Sequence, residues 1–169
     1  MTAVNVLVVF YSIGGDTERL ALTVGVGAIQ AHGNIRLRRL SPRAEIQADA
    51  LTAQQLENRG RMARDYVAPR PADAPWADVV VLAASPDGAA DVEAYVEGLP
   101  TAGISRGTIA AVLASGQMGR ALRPIYAAAA TAGLIVVPPA PSLEATEARH
   151  AFGRHVVALA RAFRAAKTL

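Results

Sequence analysis

Residues 4–20 constrain this chain more than any other stretch. Val4-Asn5-Val6-Leu7-Val8-Val9-Phe10 is a run of β-branched and aromatic residues with almost no polar alternation. That is the pattern of a parallel strand buried on both faces. Ser12-Ile13-Gly14-Gly15-Asp16-Thr17 then turns the chain, and an apolar helical periodicity begins at once. A turn of small residues lets backbone N–H groups converge above a helix start, where the positive end of the helix dipole also lies. The hydroxyls of Ser12 and Thr17 add donors without adding charge. In outline this is an anion site. A tight strand-to-helix turn that holds nothing would use Gly14 and Gly15 for the same backbone freedom.

The kind of anion is narrowed by what the turn lacks. It is not Gly-x-x-x-x-Gly-Lys-Ser/Thr and no lysine stands near it, which argues against a nucleoside-triphosphate loop. Nor is it Gly-x-Gly-x-x-Gly, which argues against a dinucleotide pyrophosphate.

The remaining chain alternates helix and strand. The periodicity predicts a helix over 17–32, with Leu20, Val24 and Ala28 on one stripe and Leu22, Val26 and Ile29 on the next. Gly25 and Gly27 are costly inside a helix unless close packing on the sheet requires them. Gly33 and Asn34 end that helix, and 35–40 alternate as an edge strand. A helix over 51–65 and a proline-marked loop lead to a third strand at 78–84. Val92, Tyr95, Val96 and Leu99 then form the core face of a helix. A fourth strand spans 108–114. Pro124 is tolerated only in the first turn of the next helix, so that helix starts near 121. Residues 134–137 make a fifth strand, and a closing helix turns Phe152, Val156, Leu159 and Phe163 to the core. The expected fold is α/β, a three-layer doubly wound parallel sheet of five strands, with residues 1–169 as one domain.

Composition excludes several chemistries. There is no cysteine, so disulfides and thiol catalysis are out. His32, His150 and His155 are not spaced as a metal site. No apolar run reaches membrane-spanning length and no leader pattern opens the chain, so a soluble cytoplasmic protein is expected. Net charge is +3, and all but one of the 17 cations, Lys167, are arginine. The clusters at Arg36, Arg38, Arg39 and Arg43, and at Arg154, Arg161 and Arg164, read as solvated faces. No nucleic-acid motif accompanies them.

Ser-x-x-Gly-x-Thr-Glu after a first strand resembles the phosphate loop of flavodoxin-like proteins. The order of motifs through 6–22, 77–99 and 108–138 is similar to the quinone reductases of the WrbA type. The resemblance implies strand order 2-1-3-4-5, with a ligand at the switch point above strands one and three. It implies FMN as cofactor, with Ser12, Ile13, Gly14, Gly15, Asp16 and Thr17 around its phosphate. Ser85, Pro86, Asp87 and Gly88 would lie beside the flavin ring, with Ser115, Gly116, Gln117 and Gly119 opposite. It further implies NAD(P)H as a transient donor, a quinone-like acceptor and a homo-oligomer.

Departures from that family are local. The second and third loops are shorter, and neither carries an aromatic to stack on a flavin; Trp76 precedes its strand and Tyr95 is on a core-facing stripe. Asp16 and Glu18 bring carboxylates to the helix start, worth about 0.3–1 kcal/mol there, and so replace part of the phosphate's charge. A flavodoxin fold with weak or no FMN binding, acting as a binding module, is therefore the alternative. Receiver domains need acids after strand one and a lysine after strand five, where this chain has Ser12-Ile13 and Pro138-Pro139. No Gly-x-Ser-x-Gly elbow supports a serine hydrolase.

Overall fold

β1 (Val4–Phe10) owes its unbroken apolar sequence to its place inside the sheet. The computed structural model describes residues 3–42, 46, 48–115, 122–138 and 143–166. β1 pairs in parallel with β2 (Gly33–Arg39) on one side and β3 (Val79–Ala84) on the other. β4 (Ile109–Ala114) and β5 (Ile135–Val137) extend the sheet beyond β3. The order is β2-β1-β3-β4-β5, all parallel, as expected. Side chains alternate between faces along each strand. Val4, Val6, Val8 and Phe10 face the layer of α1 (Asp16–Gln30) and α5 (Thr146–Ala166). Leu7, Val9 and Tyr11 face the layer that contains α3 (Ala89–Gly98) and α4 (Arg123–Thr131). Pro124 lies in the first turn of α4, and residue 121 lies outside the described residues.

α1 and α5 pack backbone to backbone. A β-carbon on Gly27 would lie 2.1 Å from the carbonyl oxygen of His150, and one on Gly153 would lie 2.1 Å from that of Val24. Gly27 thus serves contact with α5, not with the sheet, while a β-carbon on Gly25 would meet only Ile35 at an ordinary 3.6 Å. α1 ends differently from expectation too. His32 takes the left-handed conformation at φ 56°, and Gly33 is already the first residue of β2. Only the first predicted stripe of α1 is buried; Leu22, Val26 and Ile29 are 40%, 43% and 51% exposed. Phe163 on α5 is also exposed, against expectation.

α2 (Ala53–Asp65) opens with a reciprocal cap between Thr52 and Gln55. Its buried residue, Met62, joins the α1/α5 layer, and Tyr66 meets the Phe10 ring edge-to-face at 5.0 Å. The chain then returns along the outside of β2. Asp73 accepts from Arg36 at 3.1 Å and from Arg38 at 2.7 Å, and Arg36 stacks on Trp76. These arginines are paired within the fold, not solvated, and Arg39 is buried. Arg154, Arg161 and Arg164 likewise bond to Glu147, the Ala31 carbonyl and Asp78. Arg43 lies outside the described residues. Among the described residues no helix is long and apolar enough to cross a membrane.

Candidate functional site

The ladder holds the chain to Tyr11, whose N–H donates to the Ala83 carbonyl at 3.0 Å, and then releases it into the turn. Ser12 is buried, and its Oγ accepts from the Gly15 N–H at 3.1 Å. Gly15 caps α1 at φ 101°, a conformation that suits glycine. The helical ladder starts only at Arg19, whose N–H reaches the Gly15 carbonyl at 2.9 Å. The N–H groups of Asp16, Thr17 and Glu18 have no acceptor among the described residues. A β-carbon on Gly14 would meet nothing within 4 Å, so the turn has room at that position. Ile13 is partly buried against the α3/α4 layer and anchors the turn through apolar contact.

The two first-turn carboxylates do not fill this cradle. Asp16 is 81% exposed and pairs with Arg19 at 3.6 Å, on the solvent side of the helix. Glu18 is buried and turns toward α2, accepting from Arg61 at 2.9 and 2.5 Å and from the Tyr66 hydroxyl at 2.5 Å. Burial alone would raise its pKa, but the hydrogen bonds from Arg61 and Tyr66 outweigh it and hold the carboxyl below its ordinary value. The clamp fastens α2 beside the turn, where Asn58 Nδ2 donates to the Gly14 carbonyl at 2.8 Å.

Arg39, the last residue of β2, lies against the turn from within the fold. Its Nη2 donates to the Ser12 carbonyl at a long 3.5 Å, and its Nε has no partner among the described residues.

The second loop leaves β3 through a 3-10 turn, Pro86–Gly88, and runs directly into α3. Pro86 and Asp87 are exposed, while the Ser85 Oγ is buried with no partner among the described residues. Gly88 lies flush on the Tyr11 ring, where a β-carbon would be 2.0 Å from the Tyr11 Cδ1. From the third loop, Ser115 Oγ shares a 2.6 Å hydrogen bond with Thr17 Oγ1. Gly116, Gln117 and Gly119 lie outside the described residues. The predicted site residues that are described thus meet at the carboxyl ends of β1, β3 and β4. Trp76 is at the opposite end, its carbonyl accepting from Asn5, and Tyr95 packs against the α3/α4 core.

Arg39, Asn58 and Arg61 escaped the sequence reading. For Arg39 a signal existed: Ile35 and Leu37 face inward, and Arg39 continues their parity. Nothing in the sequence ties Asn58 and Arg61, both on a largely polar helix, to a turn more than forty residues earlier.

Parallel strands in the order 2-1-3-4-5 between two helical layers, with a glycine- and hydroxyl-bearing turn where the order reverses, define a flavodoxin-like fold. The chain is similar to a solved flavodoxin from the domain Archaea, at 13% identity and a TM-score of 0.62, over 93% of this chain and 99% of that one. It is similar also to a short-chain flavodoxin associated with a non-canonical PDU bacterial microcompartment, at 17% identity and 0.58, over 93% and 99%. A flavoprotein from Lactobacillus acidophilus, solved in complex with FMN, aligns at 13% identity and 0.50, over 80% and 91%. No protein-family model and no curated protein matches the chain.

Proposed function

We propose that this protein binds FMN by its terminal phosphate at the 12–17 turn and acts as a NAD(P)H-dependent quinone or flavin oxidoreductase. The observation that carries the reading is the set of three N–H groups, on Asp16, Thr17 and Glu18, that have no acceptor among the described residues and stand together at the sheet's switch point. The donor set suits a phosphate. Ser12 Oγ accepts from Gly15 and so keeps its own proton to donate. In the Thr17–Ser115 pair one hydroxyl donates to the other, whose proton stays free for a third acceptor. The solved Lactobacillus flavoprotein of similar fold holds FMN, which supports the same ligand here.

Ser85, whose Oγ has no partner among the described residues, would face the flavin edge, with Pro86, Asp87 and Gly88 beside it and the loop from Ser115 through Gly116, Gln117 and Gly119 opposite. The flavin supplies the redox chemistry, and the chain positions it and excludes water. In this reading the protein is cytoplasmic and works as a homo-oligomer, whose neighbouring subunit covers a ring left open by the short loops.

Visible absorbance of the purified protein, with and without added FMN, tests the reading first. A flavin spectrum that survives gel filtration, followed by NAD(P)H-dependent quinone reduction, is the expected result. The second reading, a binding module that has lost FMN, draws on Gly88 seated on Tyr11 and on the Thr17–Ser115 bridge, which pull two loops down onto the sheet. No spectral change at any FMN concentration would favour it.

A further inference from the structure

We propose that Arg39 makes the 12–17 turn selective for a phosphate monoester, by holding a buried positive charge against a cradle whose own donors are neutral. The proposal rests on the reading of that turn as a phosphate site. Arg39 is only 7% exposed. It stands opposite Phe10 in the β1–β2 register, and its backbone N–H is fastened to the Val67 carbonyl at 3.1 Å. Its guanidinium is poorly satisfied among the described residues: the bond to Ser12 is long, and Nε has no partner there.

A buried, half-partnered cation is expensive to keep. Its neighbours do not neutralise it. Glu18 faces it from α1, but that carboxylate already serves Arg61 and Tyr66. Arg59 faces it from α2 with like charge, and Tyr11 faces it from the end of β1 as a neutral phenol. An anion held in the turn beside it is the group that would compensate this charge. Arg39 reaches the Ser12 carbonyl only at this long distance, which still sets the charge beside the turn.

The test separates phosphate recognition from ring recognition. FMN and riboflavin are titrated against the wild type, Arg39→Gln and Arg39→Lys at one ionic strength, with folding checked by circular dichroism. Arg39→Gln should lower the ratio of FMN to riboflavin affinity about tenfold while leaving riboflavin binding as it was, and Arg39→Lys should keep most of the ratio. An unchanged ratio in folded Arg39→Gln would overturn the proposal. If neither variant folds, the wild-type ratio is followed from about 0.05 to about 0.5 M salt. A ratio that persists within about threefold supports a buried charge, whereas collapse toward unity assigns the selectivity to exposed arginines and rejects Arg39. A wild-type protein that binds neither FMN nor inorganic phosphate refutes the phosphate reading itself, a result distinct from failure of Arg39 alone.

Discussion

Gly15 carries the turn, because at φ 101° any β-carbon meets the following carbonyl, at a cost of about 1–2 kcal/mol. Gly15→Val should therefore lower the urea midpoint and weaken FMN binding together, and a variant with both at wild-type level would remove the turn from the site. Asp16 behaves differently. Its carboxylate is turned to solvent and shared with Arg19, so Asp16→Asn should leave FMN affinity within about threefold and cost only a few tenths of a kcal/mol in stability. Calorimetric titration at low and high salt would check this, and a salt-dependent tightening beyond that range would put the carboxylate against the ligand. The turn was legible in the sequence because its residues are contiguous. Arg39 was not, because its role depends on parity along a strand paired to β1 and on the turn folding down over it.

Helix-level packing makes a sharper contrast. Gly25 and Gly27 look alike in sequence, yet only Gly27 abuts the α5 backbone. Gly27→Ala should cost about 1–3 kcal/mol through overpacking, while Gly25→Ala should be neutral or stabilising by up to about 1 kcal/mol, as read by thermal unfolding. The Glu18–Arg61–Tyr66 clamp joins α1 to α2 and should show in the pH profile. Glu18 titrates below its ordinary 4.5 in the folded state, so its stabilisation is present above that value and fades as pH falls through the lower folded one. Tyr66 moves the other way, pushed up to about 12 by burial and by Glu18, so stability is lost as pH climbs from 10 toward 12. Glu18→Gln should lose about 1–2 kcal/mol at neutral pH, and the gap to wild type should narrow below about pH 4. Urea midpoints across pH would show it; a gap that stays constant in acid would assign the loss to packing. The existence of α2 was readable, but its layer was not. A polar helix with one buried methionine gives no hydrophobic face from which to choose.

For the whole molecule, strand order followed from resemblance and not from pattern, since five buried strands of like composition could be laid side by side in several ways. At the proposed flavin site the ring of Tyr11 is sealed beneath Gly88 and cannot stack. FMN affinity and turnover should therefore rise with protein concentration across the range where subunits associate, as measured by flavin fluorescence alongside sedimentation. A monomer that binds and turns over fully would exclude dependence on a neighbour. The seating of Gly88 on Tyr11 also bears on how this scaffold can be altered. No side chain fits at position 88 while Tyr11 keeps its place, so point substitution there leads nowhere. A library meant to build a taller rim over β3 would have to lengthen the chain between Pro86 and Asp87, both exposed, or shrink Tyr11 in the same step.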